Sequence, residues 1–238
     1  MLNLLWKEWH EQRWKLAYGC LMLCAFALIG MRCRVVADET LLTWVCFLGI
    51  TLLPILASMG LIPAERSEGS FNSLLALPAP RWQIFASKTV MGLLLCAGPL
   101  LAATLVSIIV AGGREITSGQ MMLECARSIA ACLSLFMWMF VLTIGLPSEA
   151  RAGLVSLGIL FIALLLMAGL LYAVALHSKM LSRLWWASPF EFTFSIPAND
   201  RDSEYAQISA LGALAVQPLI AAGLWFWGLR RLSAEGQA

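Results

Sequence analysis

Six stretches of the chain are apolar over a length that crosses a lipid bilayer, and short polar segments separate them. A transmembrane helix needs about 20 predominantly apolar residues, with a range of roughly 17 to 25. The stretches that meet this length are residues 14–31, 40–63, 89–111, 129–146, 152–176 and 208–229. Glu124 and Arg127 are then expected in the turn before the fourth stretch, because a charge at mid-bilayer costs about 2.5–3.5 kcal/mol. The pattern predicts an all-α membrane protein with six transmembrane helices, forming a single domain over 1–238.

The orientation of the six helices is predicted from the basic residues in the connections. Cytoplasmic connections carry an excess of Lys and Arg, which is small here. Lys7, Arg13 and Lys15 lie at the start of the chain, and Arg230 and Arg231 follow the last stretch. An even number of helices places both termini on one side, so the two ends support each other. We expect both the N-terminus and the C-terminus inside.

Residues 1–13 are predicted to form an amphipathic helix on the inner membrane surface. Leu5, Trp6 and Trp9 share one face at helical spacing, while Lys7 and Glu8 share the other. Tryptophan side chains are typical of the level of the lipid headgroups. The alternative is a polar extension of the first transmembrane helix.

The connection between the second and third stretches, residues 64–88, is polar at first and then amphipathic. Ser67 or Ser70 is a candidate N-cap for a short helix over 71–77, which Pro78 ends. One interpretation is a helix that docks on a protein outside the lipid. The other is a loop that folds back over the bilayer, and composition favours neither.

The connection between the fifth and sixth stretches, residues 177–207, is long and rich in aromatic residues. Its apolar runs are too short to cross the bilayer, so they can enter it only partway. We favour a re-entrant segment on the outer side, with an aromatic belt on an ordinary loop as the alternative.

The composition supports a membrane protein and argues against several other classes. Charged residues make up 13% of the chain, against roughly 25% in soluble domains. The net charge of +2, without a basic stripe, gives no support for nucleic-acid binding. The seven cysteines contain no CxxC pair and there are only two histidines, so no metal site is expected.

Three motifs resemble those of the membrane subunits of type-2, exporter-like ATP-binding-cassette transporters. The start of the chain, with Lys7-Glu8 and then Arg13, is similar to the start of those subunits. Ser188-Pro189-Phe190 resembles their Ser-Pro element near the re-entrant helices. Three segments of the chain are similar to the coupling segment of that family, namely ERSEGSF (65–71), LLALP (74–78) and RWQIFASK (81–88). Ser70 stands where the family often has threonine, and the hydroxyl is kept.

The resemblance implies that two permease copies, identical or similar, pair with two cytoplasmic ATPase subunits in a bacterial cytoplasmic membrane. A coupling helix between the second and third transmembrane helices would contact the ATPase. The residues expected in that contact are Glu65, Arg66, Glu68, Gly69 and Phe71. Those expected to shape an outer gate are Trp185, Trp186, Pro189, Phe190 and Phe192.

ATP hydrolysis is expected in a separate polypeptide. A phosphate-binding loop needs Gly-x-x-x-x-Gly-Lys-Ser/Thr, which this sequence lacks. ATP and Mg²⁺ would therefore be bound by the ATPase, and this chain would need no cofactor. Transmembrane stretches almost free of charge favour a lipidic, amphipathic or peptide-like substrate and disfavour an intramembrane enzyme, and the resemblance implies that the substrate is exported. A channel, carrier or scaffold outside this transporter class is the alternative.

Overall fold

A computed structural model of the chain describes residues 2–33, 38–71, 79–111, 118–175 and 216–232. These residues are almost entirely α-helical and contain no strand, which confirms the predicted all-α class. The helices are α1 (Leu2–Cys33), α2 (Asp38–Gly60), α3 (Ile62–Ser67), α4 (Arg81–Ala111), α5 (Ser118–Thr143), α6 (Glu149–Ala175) and α7 (216–232).

The helices meet so that α2, α5 and α7 end where α1, α4 and α6 begin. The Gln12 side chain of α1 donates a hydrogen bond to the Gly60 carbonyl at the end of α2. In α7, the aromatic ring of Trp225 lies against that of Phe85 near the start of α4. The Ser58 and Ser156 hydroxyls join α2 to the first turns of α6 at 3.0 Å. One end of the bundle, here called the charged end, thus gathers these helix termini around α3.

Helix α1 is unbroken from Leu2 to Cys33, so residues 1–13 are not a separate helix from the stretch 14–31. This arrangement agrees with the alternative of a polar extension of the first apolar stretch. No proline lies within α1, and glutamate, glutamine, lysine, leucine and alanine, which favour helices, fill the junction.

The predicted second stretch, 40–63, is divided at Leu61. Helix α2 ends at Gly60, and Leu61 has φ −93° and ψ −87°, outside the helical region. Helix α3 then starts with Pro63 in its first turn, where a missing N–H costs no hydrogen bond. The polar connection therefore begins with a helix that lies before the predicted one.

Two further boundaries differ from the predictions. Helix α5 starts at Ser118, so Glu124 and Arg127 lie within a helix and not in a turn before it. Ser67 is the last residue of α3 and its hydroxyl donates to the Ala64 carbonyl, so it does not start a helix. The Ser70 hydroxyl donates to the Glu65 carbonyl, and the amides that it would cap lie outside the described residues. Of the predicted 71–77 helix, Phe71 is helical and residues 72–78 lie outside the described residues.

Three helical stretches of the described residues are long and apolar enough to cross a membrane, namely Asn3–Cys33, Trp44–Ser67 and Arg81–Val110. The apolar part of α5, Ser128–Thr143, is shorter. The structure thus supports a multi-pass membrane protein, and the full set of six transmembrane helices stays a prediction. The predicted re-entrant segment lies outside the described residues.

Candidate functional site

The charged end is built around Lys88, whose side chain is 1% exposed. Its ammonium group donates a hydrogen bond to Glu8 Oε1 at 2.8 Å. It also lies 2.7 Å from Glu65 Oε2, as an ion pair without the alignment of a hydrogen bond. Lys88 belongs to α4, Glu8 to α1 and Glu65 to α3, so one buried cation joins three helices. Burying an unpaired charge costs several kcal/mol, which the two carboxylates offset.

A second layer of charge surrounds this centre. The Lys7 ammonium donates to the other oxygen of Glu65, Oε1, at 2.9 Å. It also lies 3.5 Å from Glu11 Oε1, one helical turn further along α1. Lys7 and Glu11 are partly exposed, whereas Glu8 and Glu65 are buried. The five side chains form one network, here called the ion network: Lys7, Glu8, Glu11, Glu65 and Lys88.

The first turns of α1 supply one side of the network through helical spacing. Side chains three and four positions apart lie on one face of a helix, which brings Glu8, Glu11 and Gln12 together. Gln12 Nε2 donates to the Gly60 carbonyl at 2.7 Å and satisfies a terminal carbonyl of α2. A Cβ on Gly60 would lie 2.5 Å from the Lys15 ammonium, so this end of α2 is closely covered by α1.

The first turns of α1 bury two polar side chains and expose two large aromatic ones. Glu8 and Gln12 are buried, whereas Trp6 and Trp14 are 69% and 63% exposed. In a membrane the solvent is apolar, so polar side chains gain by facing the protein and apolar ones by facing lipid. Glu8 and Gln12 thus face the protein, whereas Glu11, Arg13 and Lys15 are exposed beside the tryptophans, as at a membrane–water interface.

The predicted ATPase-contact residues divide into a buried and an exposed set. Glu65 and Phe71 are each 5% exposed, so both contact this chain's own core. The Arg66 guanidinium lies 4.5 Å from the centre of the Phe71 ring. Glu68 and Gly69 are exposed. The surface that α3 offers to a partner is therefore the edge 67–69, here called the exposed edge.

Gly69 forms the turn that ends this edge. Its φ of +76° is in the left-handed region, where a residue with a side chain is strained. A Cβ on Gly69 would meet no atom of the described residues within 4 Å. The turn itself, and not a close approach to this chain, is thus the reason for glycine at this position.

Sequence reasoning missed the central role of Lys88 and Glu8. It placed Lys88 only at the end of the resembled segment 81–88 and Glu8 on the polar face of an amphipathic helix. The available signal was that the family-like motifs contain Lys7-Glu8, Glu65 and Lys88, which the structure brings together. Glu8, Glu11 and Glu65 also have an oxygen each within 4.8 Å of one another, but Lys7 and Lys88 contact these carboxylates. The predicted outer-gate residues, 185–192, lie outside the described residues.

The helical fold and the apolar stretches define an integral membrane protein that crosses the bilayer more than once. Residues 37–222 match the family described as ABC-2 family transporter protein, and the chain belongs to that family. It is thus a permease subunit of an ABC transporter, and it is not itself the ATPase. Membership generally implies an ATP-binding partner subunit. Comparison with curated proteins gave no match. Glu65 and Lys88 lie within the matched residues, whereas Lys7 and Glu8 precede them.

Proposed function

We propose that this permease subunit exports a lipidic, amphipathic or peptide-like substrate, using ATP hydrolysed by a separate cytoplasmic subunit. That subunit binds ATP and Mg²⁺ and contacts the exposed edge of α3. The carrying observation is the position of α3 at the charged end. It offers Glu68 and Gly69 outward while its buried Glu65 is ion-paired with α1 and α4. While these ion pairs hold, force applied to the edge would reach two helices at once.

The orientation proposed is six transmembrane helices with both termini inside. It is supported by the way α2, α5 and α7 end where α1, α4 and α6 begin. A Cβ on Gly145, just after α5, would lie 2.5 Å from Arg231 near the end of α7. Lys7, Lys88, Arg151 and Arg231 thus lie at the same end as α3, as expected for a cytoplasmic side.

The substrate class is supported by where charge is buried. In the described part of the chain, the buried charged residues are Glu8, Glu65 and Lys88, all at the charged end. The buried polar residues elsewhere in the described bundle are uncharged: Thr51, Ser58, Thr104, Ser107, Ser128, Ser134, Thr143, Ser156 and Gln217. Ion-coupled carriers mark their pathway with intramembrane charges. Buried hydroxyl groups without buried charge, as in the described part of the bundle, suit an amphipathic molecule better than an ion.

Two further parts of the proposal concern assembly and the outer side. The exposed apolar face of α6, with Leu154, Leu157 and Phe161, suits lipid or a second permease copy. We assign the bacterial cytoplasmic membrane as the location. The outer gate is assigned to the aromatic residues around Pro189, which remains a prediction from the sequence.

The docking proposal is tested by Glu68→Lys in the tagged chain, purified from its host in mild detergent. Glu68 is exposed and its backbone N–H alone supports the fold, by bonding to the Ala64 carbonyl. We expect the amount of ATPase protein and the ATPase activity recovered per permease to fall at least fivefold. Phe71→Asp would be less informative, because Phe71 is in the core of this chain and its loss affects folding.

The matched control is Glu149→Lys, the same change of charge at the first turn of α6, at the same end. This variant should retain the ATPase at the unmodified level. Equal loss in both variants would mean that general charge, and not the edge of α3, binds the partner. Full retention of the ATPase by Glu68→Lys would contradict docking at this edge.

A further inference from the structure

Glu65 differs from the other carboxylates of the ion network because each of its oxygens contacts a different lysine. Oε1 accepts a hydrogen bond from Lys7, and Oε2 forms the ion pair with Lys88. We propose that Glu65 is a positioning residue that holds α3 against α1 and α4 and releases it during the transport cycle. Residues 65–71 would move on release, while α1 and α4 stay joined to each other.

The network contains a second partner for each lysine. Without Glu65, Lys88 keeps its hydrogen bond to Glu8, and Lys7 keeps Glu11 at 3.5 Å. Three carboxylates face two ammonium groups, so removing Glu65 leaves two of each. No buried cation is left unpaired, which removes the largest cost of breaking a buried ion pair.

The contacts that join the other helices do not involve Glu65. Glu8 and Lys88 join α1 to α4 through a buried hydrogen bond, and Gln12 joins α1 to the end of α2. By contrast, the Glu65–Lys88 contact lacks hydrogen-bond alignment. Movement of α3 therefore requires the two Glu65 contacts, to Lys7 and to Lys88, to break while the contacts of Glu8 and Gln12 remain. The apolar contacts of Phe71 oppose this movement, so they stabilise the arrangement in which α3 is held against α1 and α4.

Release would give the ATP-binding subunit a second acidic contact. The Glu65 carboxylate, three residues before Glu68, would then be available to a basic side chain of the partner. This consequence rests on the proposed function, but the release itself is a property of this chain. The two are tested separately, since release can be measured without an ATPase.

The test is hydrogen–deuterium exchange of the full chain in lipid nanodiscs, comparing Glu65→Gln with the unmodified protein. Backbone amides exchange through local opening, so their rates report the stability of each segment. We expect exchange in 62–71 to rise about tenfold, and exchange in 4–12 and 82–92 to change less than twofold. The matched variant is Glu8→Gln, which removes the α1–α4 contact. Glu8→Gln should raise exchange in 4–12 and 82–92, the two segments in which Glu65→Gln causes little change.

Three outcomes would overturn the proposal. Unchanged exchange in 62–71 would mean that the Glu65 carboxylate does not hold α3. An equal rise in all three segments would make Glu65 an ordinary structural clamp of the whole end. Failure of Glu65→Gln to give folded, monodisperse protein would contradict the claim that both lysines keep a partner. If Glu68→Lys lost ATPase binding but kept the hydrogen–deuterium exchange rates of the unmodified protein, the result would concern docking alone and would not affect the release proposal.

Discussion

The charged end and the apolar body of the bundle join their helices by different means. At the charged end, side chains of opposite charge reach between helices, as with Glu8 and Lys88. In the body, hydroxyl groups mostly bond to their own helix, as Thr104 does to the Leu100 carbonyl. Neighbouring helices there contact through aromatic rings: Phe85 of α4 stacks on Phe140 of α5 at 5.3 Å, and Phe136 continues the stack within α5.

This difference decides which region is able to change conformation. An ion network with more carboxylates than cations has alternative pairings, and Glu65 belongs to only some of them. A closely filled apolar region has one arrangement, since a displaced ring leaves a void or a clash. The charged end is therefore suited to switch, and the body to transmit the motion as a rigid unit.

The largest expected effect is that of Lys88→Met, which removes the centre of the charged end. Glu8 and Glu65 would then face each other in a buried site without their shared cation. Removing one partner of a buried ion pair costs about 3–5 kcal/mol. We expect a loss of that size in the free energy of unfolding, measured by denaturant titration in detergent.

Lys7→Met is the control for Lys88→Met, because Lys7 is partly exposed and Glu65 keeps Lys88. Its cost should stay below about 1 kcal/mol, as for exposed ion pairs. If the two variants were equally stable, burial would not distinguish the centre of the network from its rim. The comparison between the two regions would then lose its basis.

The next effect tests the close packing of the body through Gly92→Ala. A Cβ at this position would lie 2.0 Å from Cζ of Phe136, so the ring and its stacked neighbour must move. Overpacking of this kind costs about 1–3 kcal/mol. The matched control is Gly158→Ala, where no atom of the described residues lies within 4 Å of the new Cβ. That variant should be neutral or slightly more stable, because alanine favours the helix.

The sequence predicted the helical class, because long apolar runs need no knowledge of their neighbours. It also indicated the segment around Glu65 and Gly69 as the candidate site. It did not predict that Glu8, Glu65 and Lys88 meet. Glu8 is 57 positions from Glu65 along the chain, and Glu65 is 23 positions from Lys88. Charge alone predicts exposure, and only the contact between α1, α3 and α4 makes burial favourable for these residues.

Helix boundaries were also harder to predict than helices. The break at Leu61 lies inside a continuous apolar run, so hydropathy carries no mark of it. Gly60 followed by Pro63 is the local signal, because glycine ends helices and proline starts them. The polar start of α5 at Ser118 was taken for a turn, since a helix extending beyond the apolar stretch has no signature in hydropathy.

The smallest expected effect is that of the hydroxyl contact between Ser58 of α2 and Ser156 of α6. The two oxygens lie 3.0 Å apart, and Ser58 also donates to the Ile55 carbonyl. Side-chain hydrogen bonds between membrane helices average about 0.6 kcal/mol in double-mutant cycles. We expect a coupling of that size between Ser58→Ala and Ser156→Ala, measured by the same denaturant titration. A coupling above about 2 kcal/mol would mean that polar contacts join the body as strongly as the charged end, and the distinction between a switching end and a rigid body would fail.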